Sequence, residues 1–298
     1  MKRRINFVIV TLIFLSFVAC KHKNTPVYPS NRDYRLIKSE QKVTKDGKTT
    51  KYIYNYSYNE TISTDDADYF QTVEEINDET KETTTYTYDY LSTNPTKYTV
   101  KATNFEATYE YNATNGKLEK SEEITTEGTK QTTVTAEYEY DNFFVVKKHE
   151  STEVVEDATK IVTNTITQYE NIFNTDGQLI ERIQTSEIEI ISYEKTSAED
   201  ATWNETDPAN STEISKDVYA YYQDSVVQQT YLKDANTGVF EQKPYHVTTT
   251  AYLPEISLIL RRVQTTYHKQ DGEGYKKGDI DSITSTAYFY ERRGRKNL

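Results

Sequence analysis

Histidine and cysteine are the residues that would carry metal or nucleophilic chemistry in this chain. The four histidines are far apart, and no spacing typical of a metal site links any two of them. The sequence contains no Gly-x-Ser-x-Gly elbow, no phosphate-binding glycine loop and no His-Glu-x-x-His motif. We therefore predict no metal and no cofactor. The histidines are His22, His149, His246 and His268.

Carboxylates are abundant, and their densest groups lie at 65–68 and 271–274, the latter followed by Asp279 and Asp281. Oxygen-rich loops can bind Ca²⁺, but neither group follows the spaced ligand order of an EF-hand loop. A solvated acidic turn is the simpler interpretation. A glycosidase would need two carboxylates at a set separation in a cleft, and nothing beyond the number of carboxylates favours one. We predict a protein without enzymatic activity.

Residues 1–19 have the features of a cleaved secretory signal peptide. A basic head at 2–4 precedes an apolar run from Phe7 to Val18, which is shorter than the ~20 residues that a membrane-spanning helix needs. Cys20 directly follows Phe17-Val18-Ala19. This arrangement resembles the lipobox of bacterial lipoproteins, with Phe17 in place of the usual leucine. The resemblance implies that Cys20 becomes the lipid-bearing N-terminus.

Lipidation of Cys20 would also account for the one cysteine of an exported chain, which otherwise stays unpaired. A cleaved signal with a chance cysteine and an uncleaved anchor are the alternative interpretations. Several acyl chains, such as palmitate, would give stable anchoring, since each buried CH₂ contributes about 0.8 kcal/mol. We predict a lipoprotein of the outer membrane, with residues 20–34 as a lipid-anchored, flexible tether.

The charge of the chain limits its partners. Loss of residues 1–19 removes three basic and no acidic residues, which changes the formal charge from −12 to −15. Nucleic acid and anionic headgroups would repel such a chain, so we predict no nucleic-acid partner and membrane contact through the anchor. Lys21-His22-Lys23 differs from the acidic surface-export signals known after lipidated cysteines, which favours the periplasmic face. Display on the cell surface is the alternative.

Alternation of tyrosine or aliphatic residues with polar ones predicts β-strands along most of the chain. Only 35% of residues are hydrophobic, yet the chain contains 27 tyrosines and 10 phenylalanines, which argues against disorder. In 134–140, every second residue is Val, Ala or Tyr, and the pattern recurs at 52–58, 84–88 and 186–190. Such strands are typical of antiparallel sheets.

Turn dipeptides such as Asp46-Gly47 and Asn115-Gly116 separate these strands, and no helical pattern lies between them. Consecutive strands should therefore pair as hairpins. We predict an all-β antiparallel meander of long hairpins, forming an extended, sandwich-like or partly closed sheet. The meander would cover 35–195 and continue over 212–298. The acidic segment 196–211, with Trp203, interrupts the alternation and is predicted to be a loop.

Several strands end in an aromatic residue followed by Asn or Asp, and twice this leads to Gly-x-Leu. The full matches are Tyr111-Asn112 with Gly116 and Leu118, and Phe173-Asn174 with Gly177 and Leu179; partial matches are Tyr88-Asp89, Tyr140-Asp141 and Tyr231 with Asp234, Gly238 and Phe240. These residues resemble the tyrosine-aspartate repeats of Rhs-type surface proteins and related repeats in lipoproteins of the Bacteroidetes. The resemblance implies β-hairpin repeats with a buried aromatic and an Asn/Asp-Gly turn. Chance recurrence in a Tyr/Thr-rich meander is the alternative.

The functional hypothesis is a non-catalytic, lipid-anchored envelope protein that acts as a scaffold, an adhesin or a binding module. Exposed aromatics, with Trp203 as the candidate residue, would instead make it a glycan-binding lipoprotein. A third hypothesis is a periplasmic carrier that shields a lipid or an outer-membrane protein inside a curved sheet. The partners in question are therefore a glycan or another envelope component.

Overall fold

A computed structural model describes residues 34–61, 69–90, 96–142, 144–195, 202–206, 208–253, 258–269 and 277–292. The predictions for the signal peptide, Cys20 and the tether up to residue 33 lie outside this part. The strands are β1 Tyr34–Lys45, β2 Lys48–Tyr58, β3 Phe70–Asn77, β4 Thr83–Tyr90, β5 Lys97–Ala102, β6 Phe105–Tyr111, β7 Leu118–Glu127, β8 Lys130–Asp141, β9 Phe144–Glu156, β10 Thr159–Phe173, β11 Leu179–Glu194, β12 Asn204–Glu205, β13 Ala209–Tyr221, β14 Ser225–Leu232, β15 His246–Leu253, β16 Leu258–Tyr267 and β17 Ile280–Arg292.

The sheet closes on itself because its first and last strands pair. β1 lies between β2 and β17, and its antiparallel register with β17 runs from Tyr34 opposite Arg292 to Lys45 opposite Ser282. Each other long strand pairs with its neighbours in the chain, except that β11 pairs with β13 and the short β12 is added at the end of β11. The wall is therefore a closed, antiparallel barrel of 16 strands.

The predicted all-β antiparallel meander is confirmed, and the prediction of an open, sandwich-like or partly closed sheet is corrected. Closure joins strands from opposite ends of the chain, and no local pattern encodes such a pairing. Within the segment 196–211, predicted as a loop, β12 forms at Asn204–Glu205 and β13 begins at Ala209. Both strands continue the same wall. The part of the chain that the structure describes contains no helix able to cross a membrane.

The tyrosine face of the strands is the concave face of the barrel. Side chains converge on the inside of a curved sheet, so they bury one another there. Tyr58, Val73, Tyr109 and Tyr288 are buried, as are inward polar residues such as Gln41. The outward positions of β4–β7 carry mainly Thr, Lys and Glu. The alternation of the sequence therefore separates a tyrosine-rich lumen from a polar outer wall.

The lumen is wide and is not filled by side chains of the described residues. Sixteen strands at the usual spacing and tilt give a backbone diameter of about 30 Å. Within the described ranges, each strand's backbone approaches only the strands with which it pairs. The two buried clusters also stay on separate arcs of the wall, one on β4–β8 and one on β1, β2 and β15–β17. Ligand-sized space inside the barrel therefore remains open.

The two ends of the barrel differ. At one end, called the aromatic end below, β1 begins, β17 ends and most strands carry a Tyr, Phe or Leu as their last inward residue. The opposite end holds the tight turns, such as Asp46-Gly47, where both residues have positive φ. Residues in type I′ hairpin turns need this conformation, which Asp and Gly tolerate.

We expect cysteines at two opposed positions of β1 and β17 to cross-link. Lys42 faces Ser285 across the seam, so Lys42→Cys with Ser285→Cys in a Cys20→Ala chain should form a disulfide or accept a short bismaleimide. Mobility on a non-reducing gel and peptide mass spectrometry would detect the bond. The control pair is Lys42→Cys with Glu122→Cys, since Glu122 lies on β7. Equal cross-linking of both pairs, or none across the seam, would contradict closure.

Candidate functional site

A repeated hydrogen bond shapes the aromatic end of the lumen. In four hairpins, the strand leaving this end begins with a buried Leu or Ile, and the returning strand ends in a tyrosine. The tyrosine hydroxyl donates to the backbone carbonyl of that aliphatic residue and satisfies a carbonyl near the rim. The pairs are Tyr58 with Leu36, Tyr140 with Leu118 at 2.8 Å, Tyr221 with Leu179 at 2.9 Å, and Tyr290 with Ile259 at 2.7 Å.

Loops at this end are ordered by the Asn of the sequence repeat. The Asn112 side-chain oxygen accepts backbone N–H bonds from Thr114 and Asn115, at 2.9 and 3.1 Å. Asn174 accepts corresponding bonds from Asp176 and Gln178, at 3.0 and 2.9 Å. Such Asx turns hold a short loop without a strand partner. In each loop a glycine takes the positive φ, 67° at Gly116 and 76° at Gly177.

The copy of the sequence repeat that contains Tyr231 lies at a different place in the barrel from the other copies. Tyr231 faces outward, opposite Lys216, and its loop lies at the end of the barrel away from the aromatic end. Asp234 still forms an Asx turn, accepting bonds from Asn236 and Thr237 at 2.9 Å each. The loop chemistry therefore recurs at both ends, whereas the inward tyrosine belongs to the aromatic end. The resemblance to Rhs-type repeats stays a prediction.

The hairpin of β9 and β10 replaces the tyrosine with Phe173, and a cavity opens beside it. Phe173 has no hydroxyl to donate, and its side chain remains 40% exposed. Its ring meets Phe144 edge-on, with centroids 4.7 Å apart. The cavity has a volume of about 460 Å³, within the range of small-molecule sites. It is lined by Asp141, Asn142, Phe144, Val146, Tyr169, Asn171, Phe173 and Gly177.

Polar groups converge on one wall of this cavity. Asn171 donates to the carbonyl oxygen of Val145 at 3.2 Å and accepts a bond from Arg182 Nε at 2.8 Å. The Arg182 guanidinium also lies over the Tyr169 ring, 5.4 Å from its centroid. These contacts hold Asn171 and Tyr169 in place. The cavity therefore combines aromatic faces with a fixed amide at Asn171 and a carboxylate at Asp141.

Carboxylates elsewhere in the lumen are held by hydroxyl groups. Tyr109 donates to Glu123 at 3.0 Å, and Tyr86 donates to Glu75 at 3.4 Å. Burial raises the pKa of Glu123 from 4.5 to about 7, and burial likewise raises the pKa of Glu75. Thr230 and Gln184 donate to Asp217 at 2.6 and 2.8 Å. The lumen wall therefore presents satisfied polar groups among its tyrosines.

Trp203, the ligand-binding candidate from the sequence, lies far from this cavity along the barrel. It follows β11 at the end opposite the aromatic end, outside the lumen, and is half-buried. The ammonium groups of Lys195 and Lys160 lie over its ring, 4.5 and 5.6 Å from the centroid. Lys160 also lies over Tyr193, at 4.5 Å. Trp203 thus belongs to a small cation–aromatic cluster, and its role in glycan binding stays a prediction.

Three of the four histidines lie within the described residues, and His22 lies outside them. His149 lies on the outer wall beside Glu139, at 3.7 Å, and His268 lies 3.7 Å from Asp281. His246 faces the lumen, where burial lowers its pKa. Among the described residues, no group of three His, Cys, Asp or Glu side chains could hold a metal ion. The acidic groups predicted at 65–68 and 271–274 lie outside the described residues.

The outer wall is charged over much of its circumference. Lys101 pairs with Glu106 at 3.0 Å, and Lys120 pairs with Glu137 at 2.6 Å, each between neighbouring strands. Exposed pairs of this kind contribute little to stability. They do bear on whether this wall faces lipid or water, because each Lys or Arg that faces lipid at mid-membrane depth costs about 2–4 kcal/mol. The wall of β5–β8 is therefore suited to water.

No protein-family model and no curated protein matches the sequence. A solved structure with some similarity is that of a porin-like protein from Bacteroides uniformis, with a TM-score of 0.38 and 12% sequence identity. The similarity covers 86% of this chain and 98% of that chain. A TM-score this low does not establish a common fold. The architecture is instead defined by the strand pairing described above.

The sequence does not mark the cavity residues as a site. Phe173-Asn174 appears in it only as one copy of the repeat. The one signal in the sequence is that Phe173 stands where the other copies of the repeat carry tyrosine. Tyr169, Asn171 and Arg182 carry no motif. Their proximity depends on the pairing of β10 with β11, which places Asn171 opposite Arg182.

The buried Glu123 should make stability fall as pH rises. The unfolded chain ionises near pH 4.5, whereas the folded chain keeps its proton until about pH 7, so ionisation favours the unfolded state between these values. The loss is at most about 3 kcal/mol. Glu123→Gln should remove this pH-dependent loss of stability. The other groups that face the site stay unchanged; they are Tyr109, Tyr138, Glu150 and Lys148.

Urea unfolding of both chains at pH 5 and pH 8 would measure this effect. The matched control is Glu122→Gln, since Glu122 is the adjacent residue on the outer wall. The prediction fails if Glu123→Gln and Glu122→Gln change the pH dependence equally.

Proposed function

We propose that this protein is a non-catalytic, lipid-anchored envelope protein whose barrel binds a small ligand in its lumen. The observation that carries the proposal is the cavity of about 460 Å³ at Phe173, open within a wall of ordered aromatics. Pockets of this size with few, fixed polar groups are the usual ligand sites of proteins. Among the described residues that line the cavity, the one carboxylate is Asp141, which accepts a hydrogen bond from Asn142 Nδ2 at 3.2 Å.

The chemistry of the cavity favours a saccharide. Sugars present an apolar face of C–H groups and a rim of hydroxyls. Phe144, Tyr169 and Phe173 supply the ring surface, and Asn171 and Asp141 supply hydrogen-bonding groups. A lipid chain, the ligand of the carrier hypothesis, would need an apolar lumen, whereas this lumen carries Thr, Ser and carboxylates between its tyrosines. The glycan hypothesis is therefore retained, with its site moved from Trp203 to the lumen.

The proposed location is the outer membrane, with Cys20 as the lipid anchor and the periplasmic face favoured. The charged wall supports a barrel that stays in water rather than one that crosses the bilayer. Acyl-lipid labelling of intact cells should mark the wild-type chain and leave Cys20→Ala unlabelled. Equal labelling of the two chains would refute the anchor, and protease shaving of intact cells would report which face carries the barrel.

Oligosaccharide binding by the lumen can be separated from binding by Trp203. An array of bacterial and host oligosaccharides would be screened with the Cys20→Ala chain, and hits would be titrated calorimetrically. Tyr169→Ala should weaken binding at least about fivefold, since loss of one stacked aromatic removes about 1–3 kcal/mol. Val146→Trp should weaken it too, by filling the cavity.

Tyr231→Ala is the matched control, because Tyr231 lies on the outer wall. Tyr231→Ala and Trp203→Ala should both leave affinity unchanged. Affinity lost in Trp203→Ala but kept in Tyr169→Ala would transfer the site to the outer cluster. An array without any hit would refute the glycan hypothesis.

A further inference from the structure

One sector of the outer wall differs from the rest in charge. The outward positions of β14–β17 are mostly apolar or uncharged. The charged exceptions include Arg261 and, at the aromatic end, Glu291, which pairs with Arg35 at 2.6 Å. The uncharged positions comprise Val227, Gln229, Tyr231, Val247, Thr249, Ala251, Val263, Thr265, Ile283, Ser285, Ala287 and Phe289. The wall of β5–β8 instead carries ion pairs between neighbouring strands. The barrel is therefore amphipathic around its circumference.

Large apolar side chains concentrate at the aromatic end of this sector. Ile37, Leu260 and Phe289 are 37%, 38% and 42% exposed. Phe289 on β17 pairs with Lys38, the residue after Ile37. On the other side of β17, Ala287 pairs with Arg261, the residue after Leu260. The three side chains thus form one patch over β1, β17 and β16.

Two β-bulges create this patch. The register of β1 with β17 shifts between Leu36 and Lys38, and the register of β15 with β16 shifts so that Leu260 is the extra residue. A bulge places two successive residues on one side of a strand. Leu36 and Ile259 stay buried, whereas Ile37 and Leu260 are turned outward. Each bulge therefore adds an exposed apolar residue beside Phe289.

We propose that the outer wall of β14–β17, together with Ile37 on the adjoining β1, lies against the lipid surface that holds the N-terminal anchor, with Leu260 and Phe289 at the centre of the contact. The position of the predicted anchor is the reason for choosing a lipid surface as the partner of this patch. The chain enters the barrel at Tyr34, three residues before Ile37, so the segment that would carry the anchor joins the barrel beside this patch. Bulky apolar side chains beside Lys38 and Arg261 suit the boundary between headgroups and acyl chains. The charged wall of β5–β8 then faces water.

This proposal rests on the lipid anchor of the proposed function. The experiment measures contact of the β14–β17 face with lipid and attachment through the anchor separately. The acylated full chain would be reconstituted into phosphatidylcholine–phosphatidylethanolamine vesicles with one added cysteine, labelled with an environment-sensitive fluorophore. Leu260→Cys reports on the patch. Ile124→Cys is the control, because Ile124 faces outward on the charged β7. Co-sedimentation of wild type and Cys20→Ala with washed vesicles reports on the anchor alone.

We expect the label at position 260 to emit at shorter wavelength, with quenching by lipid-bound nitroxides at least about threefold stronger than at position 124. Adding Phe289→Asp should reduce that quenching, whereas Ile76→Asp on the outer face of β3 should not. Equal quenching at positions 260 and 124, with the chain still sedimenting, would overturn the proposal. A shift at position 260 without lipid quenching, together with cross-linked dimers, would also overturn it and assign the face to a second copy.

Discussion

The antiparallel pairing of β1 with β17 is the interaction on which the rest of the structure depends. Each strand is among the longer ones, and an open sheet would leave both with a row of unpaired backbone N–H and C=O groups. Closure satisfies these groups and forces the wall to curve. Curvature in turn makes one face of every strand concave, which crowds the inward side chains and leaves the outward ones in solvent. The lumen, its cavity and the polar wall all follow from this step.

A hollow barrel also explains how a chain with 35% hydrophobic residues can fold. A closed single-layer wall has no central core to fill, so side chains bury one another only along arcs of the inner face. Tyrosine suits these arcs because its ring covers its neighbours while its hydroxyl finds a partner. At the aromatic end that partner is a backbone carbonyl, as in Tyr140 with Leu118. The same residue type thus supplies burial and rim hydrogen bonding.

Both functional proposals concern places where the regular pattern of the barrel wall is interrupted. The β9–β10 hairpin carries Phe173 in place of the tyrosine, and a cavity with aromatic and amide walls opens there. The outer wall changes too, since the ion pairs of β5–β8 give way to the mostly uncharged sector of β14–β17. One bulge turns Leu260 outward within that sector, and another turns Ile37 outward on the adjoining β1. A regular barrel would provide neither feature, so both proposals rest on departures from the regular structure.

The sequence alone determined the strands, most of the turns and the face that each side chain occupies. Alternation and turn chemistry are local: Tyr52, Tyr54 and Tyr56 share a face because a strand has a period of two, and Asp46-Gly47 turns because both residues tolerate positive φ. Closure, the cavity and the outward Leu260 depended on the tertiary structure. They arise from registers between separate strands, such as Lys45 with Ser282 and Asn171 with Arg182. Such registers are decided by the summed pairing of whole strands, which no short pattern of residues carries.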